Sequence, residues 1–166
     1  MSIIWFVLLL GTLLLTGCVV LLSKYQQLRR KRRKKLMRRL SRLGSEHALR
    51  FSSQERLKDY LIGLDGIGRR LLVLRHDDRG DILHWQVIDL HEVSRCQVRK
   101  EYSNDADKEL KRIMLQFERI GLRPAEIIFY RQGYNDPHEA EELAQRARHW
   151  EVMLTKMLEK TAKQTA

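Results

Sequence analysis

The side chains that most often carry chemistry are few in this chain and poorly spaced for it. Six histidines (His47, His76, His84, His91, His138 and His149) occur without an HxxxH or HExxH interval, the spacing that puts two imidazoles on one helical face, so no metal site is expected. Two cysteines cannot build a disulfide framework, and Cys96 has no cysteine partner outside the apolar run that holds Cys18. Asp77, Asp78 and Asp81 lack the one-three-five spacing and the closing glutamate of a calcium loop. Arg79, Gly80 and Asp81 spell an adhesion tripeptide, but in this setting they read as turn formers. Gly66 and Gly68 lie between two apolar runs and do not open a helix, which makes them a hairpin turn rather than a dinucleotide loop. No Ser, His and Asp group together along the chain. Because triads also form from distant residues, an enzyme with a sequence-distant site stays as an alternative to the expected non-enzyme without a cofactor.

Charge says more about placement than about reaction. The chain has 166 residues, 32 Lys plus Arg, 21 Asp plus Glu and a net charge of +11, and no acid precedes Glu46. Eleven bases fall between Lys24 and Arg42, leaving 21 bases against 21 acids in the remainder. The high pI therefore belongs to a short cationic segment, and the rest is a neutral domain rather than a basic nucleic-acid binder.

Ile3 to Leu22 is a run of 20 residues without a charge, long enough as a helix to span a hydrocarbon core of roughly 30 Å. Trp5 and Tyr25 near its ends suit headgroup anchoring. Only Met1 and Ser2 precede the run, without the positive charge of a secretory signal. Leu15, Thr16, Gly17 and Cys18 resemble a lipoprotein box, which gives an anchor through Cys18 as an alternative. Val19 to Leu22 prolong the apolar run where a lipoprotein turns polar, and this favours Cys18 as a small apolar residue of a transmembrane helix over 1–23. Flanks rich in Lys and Arg stay in the cytoplasm. The expected location is the inner membrane, single-pass, N-terminus outside and C-terminal domain cytoplasmic.

Residues 24–43 form a basic juxtamembrane helix or linker. Leu36, Leu40 and Leu43 fall on one helical face, among Lys24, Arg29, Arg30, Lys31, Arg32, Arg33, Lys34, Lys35, Arg38 and Arg39, the residues expected to contact anionic phospholipid headgroups. A nucleic-acid tether through 24–43 is the lesser alternative, since no aromatics interleave with the bases.

Residues 44–166 are enough for one core. Tyr60 to Leu64 and Arg70 to Leu74 flank a DGIG turn, and a second hairpin joins Arg70 to Arg75 with Ile82 to Ile88. Val93 to Tyr102 alternates in part. Lys111 to Glu118 alternates cleanly, with Ile113, Leu115 and Phe117 opposite Arg112, Met114, Gln116 and Glu118. Ile127 to Tyr130 adds a short strand, and a weaker one is expected near Ala48 to Phe51. Asp136, Pro137 and Glu139 read as N-cap, N1 and a capping-box N3, opening a helix at about 137–160 whose stripe is Leu143, Ala147, Trp150, Leu154 and Met157. The fold class is α+β: an antiparallel meander sheet or open barrel closed by a C-terminal amphipathic helix. Trp85 and Trp150 are expected in the core. Arg95, Arg99, Lys100 and Glu101, and Phe129, Tyr130, Tyr134 and Asn135, are expected at the surface.

The meander around IIGLDGIGRRLLVLR, the segment VIDLHEVSRCQVRKEY and the closing DPHEAEELAQRARHWEVMLTKML resemble a bacterial pleckstrin-homology-like domain. The layout is similar to membrane-anchored proteins of Bacteroidetes-type bacteria. The resemblance covers about 47–160 and implies a binding or scaffolding module with a protein partner. It departs from the inositol-lipid version, whose first hairpin is Lys-rich where this one has Arg69 and Arg70 after the turn, so headgroup-specific binding is not implied.

Overall fold

The structure, a computed structural model, describes residues 21–27, 31, 34–103 and 109–162, and the chain divides into two compact units, Met1–Arg39 and Leu40–Ala166. Residues 21–27 are helical and exposed. Nearly all of the apolar run Ile3 to Leu22, with Cys18, lies outside the described residues, as do Arg29, Arg30, Arg32 and Arg33. Among the described residues no helix is long and apolar enough to cross a membrane.

The larger unit opens on the last turns of a helix at 34–46 (α1). There the His47 N–H donates to the Leu43 carbonyl at 3.1 Å, the Leu49 N–H donates to that of Gly44 at 2.7 Å, and Ala48 takes a φ of 52°. These terminal bonds satisfy carbonyls at the helix end and reverse the chain. The strand expected near Ala48 to Phe51 is consequently displaced and begins at Phe51.

Seven strands follow: β1 (Phe51–Arg56), β2 (Tyr60–Asp65), β3 (Arg70–His76), β4 (Ile82–Asp89), β5 (Val93–Tyr102), β6 (Leu110–Arg119) and β7 (Ala125–Arg131), then the helix α2 (Ala140–Ala162). The strands make two antiparallel sheets, ordered β1-β2-β3-β4 and β5-β6-β7. The domain is thus α+β, with antiparallel sheets and a C-terminal helix. The β2–β3 turn is set by the buried Asp65 carboxylate, which accepts the N–H groups of Ile67 (3.1 Å) and Gly68 (2.9 Å) and so offsets its desolvation. A three-residue 3₁₀ turn, Leu90–Glu92, carries the chain into the second sheet. It is fixed at both ends, by Leu90 N–H to the Arg69 carbonyl (2.9 Å) and Ile120 N–H to the Glu92 carbonyl (2.8 Å).

The core joins Ile62, Leu64, Leu71, Val73 and Ile88 of the first sheet to Ile113, Leu115, Phe117, Ile127 and Phe129 of the second, and α2 covers it with Leu143, Ala147, Trp150 and Leu154. Truncating any one of these leucines or isoleucines to alanine costs about 2–5 kcal/mol. Leu61, Leu72 and Leu74 point to the opposite face of the first sheet and are also fully buried, which explains why β2 and β3 read as continuous apolar runs rather than alternating ones. Leu40 is fully buried too. The Phe51 ring fills the space between Gly44 at the end of α1 and Gly63 in the middle of β2.

Four placements differ from the sequence reading. Trp85 is 40% exposed, because β4 is an edge strand with a neighbour on one side only; its ring is tilted against His47 at 4.9 Å. Met114 is buried, beside a register shift in β6 that breaks the alternation. Phe129 and Tyr130 are buried, because β7 continues to Arg131 and carries them inside the sheet. Pro137–Glu139 form a 3₁₀ turn, capped by the Asp136 carboxylate accepting the His138 N–H at 3.0 Å, and the α-helix starts at Ala140.

Candidate functional site

Helix α2 and strand β5 run past each other in opposite directions. At the middle of the helix the contact is closed: the Glu151 carboxylate accepts the Val98 N–H at 2.7 Å. Further along, where α2 advances and β5 recedes, a groove of about 520 Å³ opens between them. Leu90, Val93, Cys96, Ile120 and Leu158 supply its apolar walls. Ser94, Arg95 and His91 stand on the strand side, Thr155 and Glu159 on the helix side.

The strand side owes its shape to the 3₁₀ turn, whose Leu90 is buried while His91 and Glu92 are exposed, and to a register shift between Val93 and Arg95 that bends the start of β5. The helix side continues the buried stripe one turn past Leu154, so Leu158 is apolar and only partly covered. Burial pushes the Cys96 thiol up to about 12, with a smaller push from the Glu151 carboxylate. The thiol is therefore protonated near neutrality and behaves as a small apolar group, not as a nucleophile. Among the described residues no three His, Cys, Asp or Glu side chains converge in a way that could hold a metal ion.

A second cluster lies at the β1–β2 turn, the β3–β4 loop and the β7–α2 loop. Lys58 donates to the Tyr134 carbonyl, its ammonium sits 4.1 Å from the centre of the Tyr134 ring, and the Tyr134 hydroxyl donates to Asp78 at 3.0 Å. Desolvation, with hydrogen bonds to the Asp59 and Asp78 carboxylates, raises the phenol above its ordinary value. Each charged group here is engaged by another, so the cluster is a fastening between loops.

Of the bases expected to meet lipid, Lys24, Lys31, Lys34, Lys35 and Arg38 are exposed and Arg39 is half-buried. Arg95 and Arg99 are exposed, Lys100 and Glu101 half-buried, and only Arg95 lines the groove. Tyr134 and Asn135 belong to the loop fastening. Sequence reasoning missed Leu90, Val93, Cys96, Ile120, Thr155 and Leu158 as a set. The one available signal was Leu158, an apolar residue extending the stripe of α2.

Comparison with protein-family models, with curated proteins and with solved structures finds no match to this chain.

Proposed function

We propose that this chain is a membrane-tethered interaction module. In this reading the run Ile3 to Leu22 crosses the inner membrane with its N-terminus outside, the bases from Lys24 to Arg39 meet anionic headgroups, and a pleckstrin-homology-like cytoplasmic domain receives a protein partner in the groove between β5 and α2. The groove carries the reading: its walls are mostly apolar and its one thiol is held protonated, which suits docking better than bond making. The succession of four antiparallel strands, three antiparallel strands and a closing helix supports the pleckstrin-homology-like assignment. The test places a photo-reactive p-benzoylphenylalanine at Thr155 of the full chain in cells, with Glu126 as an exposed control on β7. A discrete protein adduct from Thr155 alone is expected. No adduct, or the same adducts from both positions, overturns the groove as the site. A reporter fused at Ala166 tests the orientation, and an exported reporter overturns it.

A further inference from the structure

Four strands end the two sheets, and three of them carry charges: β1 has Glu55 and Arg56, β5 has Arg95 and Arg99, β7 has Glu126 and Arg131. The fourth, β4, has neither charge nor proline from Ile82 to Ile88, and it exposes Leu83 (61%) and Trp85 (40%). Edge strands are ordinarily blunted by charge or proline, because their open main-chain groups invite another strand. The phase of the ladder shows which groups are open on β4. The Leu90 N–H donates to the Arg69 carbonyl at 2.9 Å, and the register runs without a shift from Arg70 opposite Asp89 to Arg75 opposite His84. Main-chain groups alternate along an antiparallel strand, so Ile88, Gln86 and His84 turn theirs toward β3 as Leu90 does, while Val87 and Trp85 turn theirs outward. Among the described residues nothing bonds to these outward groups of Trp85 or Val87. A register shift past His84 ends the regular stretch.

We infer that β4 pairs antiparallel with β4 of a second copy of this chain, about a two-fold axis at Gln86. The contact is separate from the groove and does not depend on it. With this axis Trp85 stands opposite Val87 of the partner subunit, and the open groups of both copies form about four main-chain hydrogen bonds. The side chains agree, since an aromatic residue facing a β-branched one is a favourable cross-strand pair, and two facing glutamine amides each donate and accept. The bulge at Leu83 selects the register: an axis at Trp85 would draw that shifted residue into the ladder and set Asp81 opposite Asp89 of the partner subunit, two like charges. The stretch between the acids matches itself under the two-fold and offers no charge by which to select a different strand. Pairing also closes at two copies. The other edge of the sheet, β1, is polar from Ser52 to Arg56, and its Glu55 is held by Arg146 of α2, so β4 finds no second edge on which to build a fibre. The paired stretch is short, which makes the dimer weak in dilute solution and calls for a test at cellular concentration.

The test introduces His84→Cys, Trp85→Cys, Gln86→Cys and Val87→Cys one at a time into the full chain carrying Cys18→Ala, and oxidises intact bacterial cells briefly with diamide. Glu126→Cys, exposed on β7, reports chance collision. Residues facing one another in a non-hydrogen-bonded pair have Cα atoms about 4.5 Å apart, which suits a disulfide, so Gln86→Cys should give at least about tenfold more linked dimer than Glu126→Cys or its neighbours on β4. Adding Trp85→Lys to Gln86→Cys removes both Trp–Val pairs and charges the edge, and should lower the yield about tenfold while the thermal transition of the domain is retained. A yield from Gln86→Cys no higher than from Glu126→Cys, or a maximum at another position of β4, overturns the pairing. So does a yield that Trp85→Lys leaves unchanged. Adducts of Gln86→Cys with a different protein in place of the dimer overturn the second copy as the occupant of the edge.

Discussion

Phe51 is held between two glycines, and Gly63 is the one it rests on: a Cβ at Gly63 would lie 2.7 Å from the ring edge of Phe51, and a Cβ at Gly44 would lie 2.5 Å from its other edge. The ring cannot retreat from one without meeting the other. Gly63→Ala is expected to destabilise the domain by about 1–3 kcal/mol through overpacking. Combined with Phe51→Leu, the alanine should cost less than it does alone. Urea unfolding of the two single variants and the double variant measures the coupling, and strict additivity would remove the wedge from the account.

Cys96 makes stability fall at alkaline pH. Its thiol binds its proton more tightly folded, at about 12, than unfolded, near its ordinary value of 9.0, so its contribution is full below pH 9 and is lost as pH rises toward 12. Tyr60, raised chiefly by burial, acts in the same direction at higher pH. The measurement is the slope of unfolding free energy between pH 9 and 10.5. Cys96→Ala should flatten it by up to about 1 kcal/mol per pH unit, and equal slopes would show that the thiol is not buried.

Glu55 ties β1 to α2. Its carboxylate accepts from the Arg146 guanidinium and from the Trp150 indole N–H at 3.3 Å, while Arg146 also donates to the Arg56 carbonyl at 2.8 Å. Glu55→Ala leaves two part-buried donors without this acceptor and should cost about 1–3 kcal/mol. Trp150→Phe keeps most of the buried area and loses one bond, so about 1 kcal/mol is expected. Chemical denaturation ranks the two, and a harmless Glu55→Ala would show that the helix is held by its apolar stripe alone.

Attraction to anionic lipid should reside in the basic segment. Changing Lys31, Lys34 and Arg38 together to glutamine, in a chain beginning at Lys24, is expected to weaken binding to phosphatidylserine vesicles about a hundredfold, at about 1 kcal/mol per base. Binding by the unchanged chain should fall as salt rises. Truncation at residue 44 is a poorer test, since it removes the fully buried Leu40. Undiminished binding by the triple variant would move the lipid contact onto the folded domain.

The strands were legible where local pattern and tertiary role agree. Lys111 to Glu118 alternates because one face of β6 meets the core, and Tyr60 to Leu64 is continuously apolar because both faces of β2 are covered. The start of the closing helix was legible from Asp136 and Pro137, although its first turn is 3₁₀. Phe129 and Tyr130 were misplaced because four apolar residues do not tell where a strand ends. The groove was not legible because it depends on meetings between distant residues: Val98 and Glu151 are 53 positions apart, and no periodicity in either segment announces the other.

The fastening at Tyr134 makes three connections a single cooperative unit. One residue takes the Lys58 ammonium from the β1–β2 turn, gives its hydroxyl to Asp78 in the β3–β4 loop, and belongs itself to the β7–α2 loop. Neighbouring Asp59 adds a main-chain tie, its carbonyl accepting the His76 N–H at 2.8 Å. None of the three can open alone without breaking a bond to another, so their amides share one opening free energy in hydrogen exchange where separate loops would show three. The molecule thus has one set of loops that opens all at once.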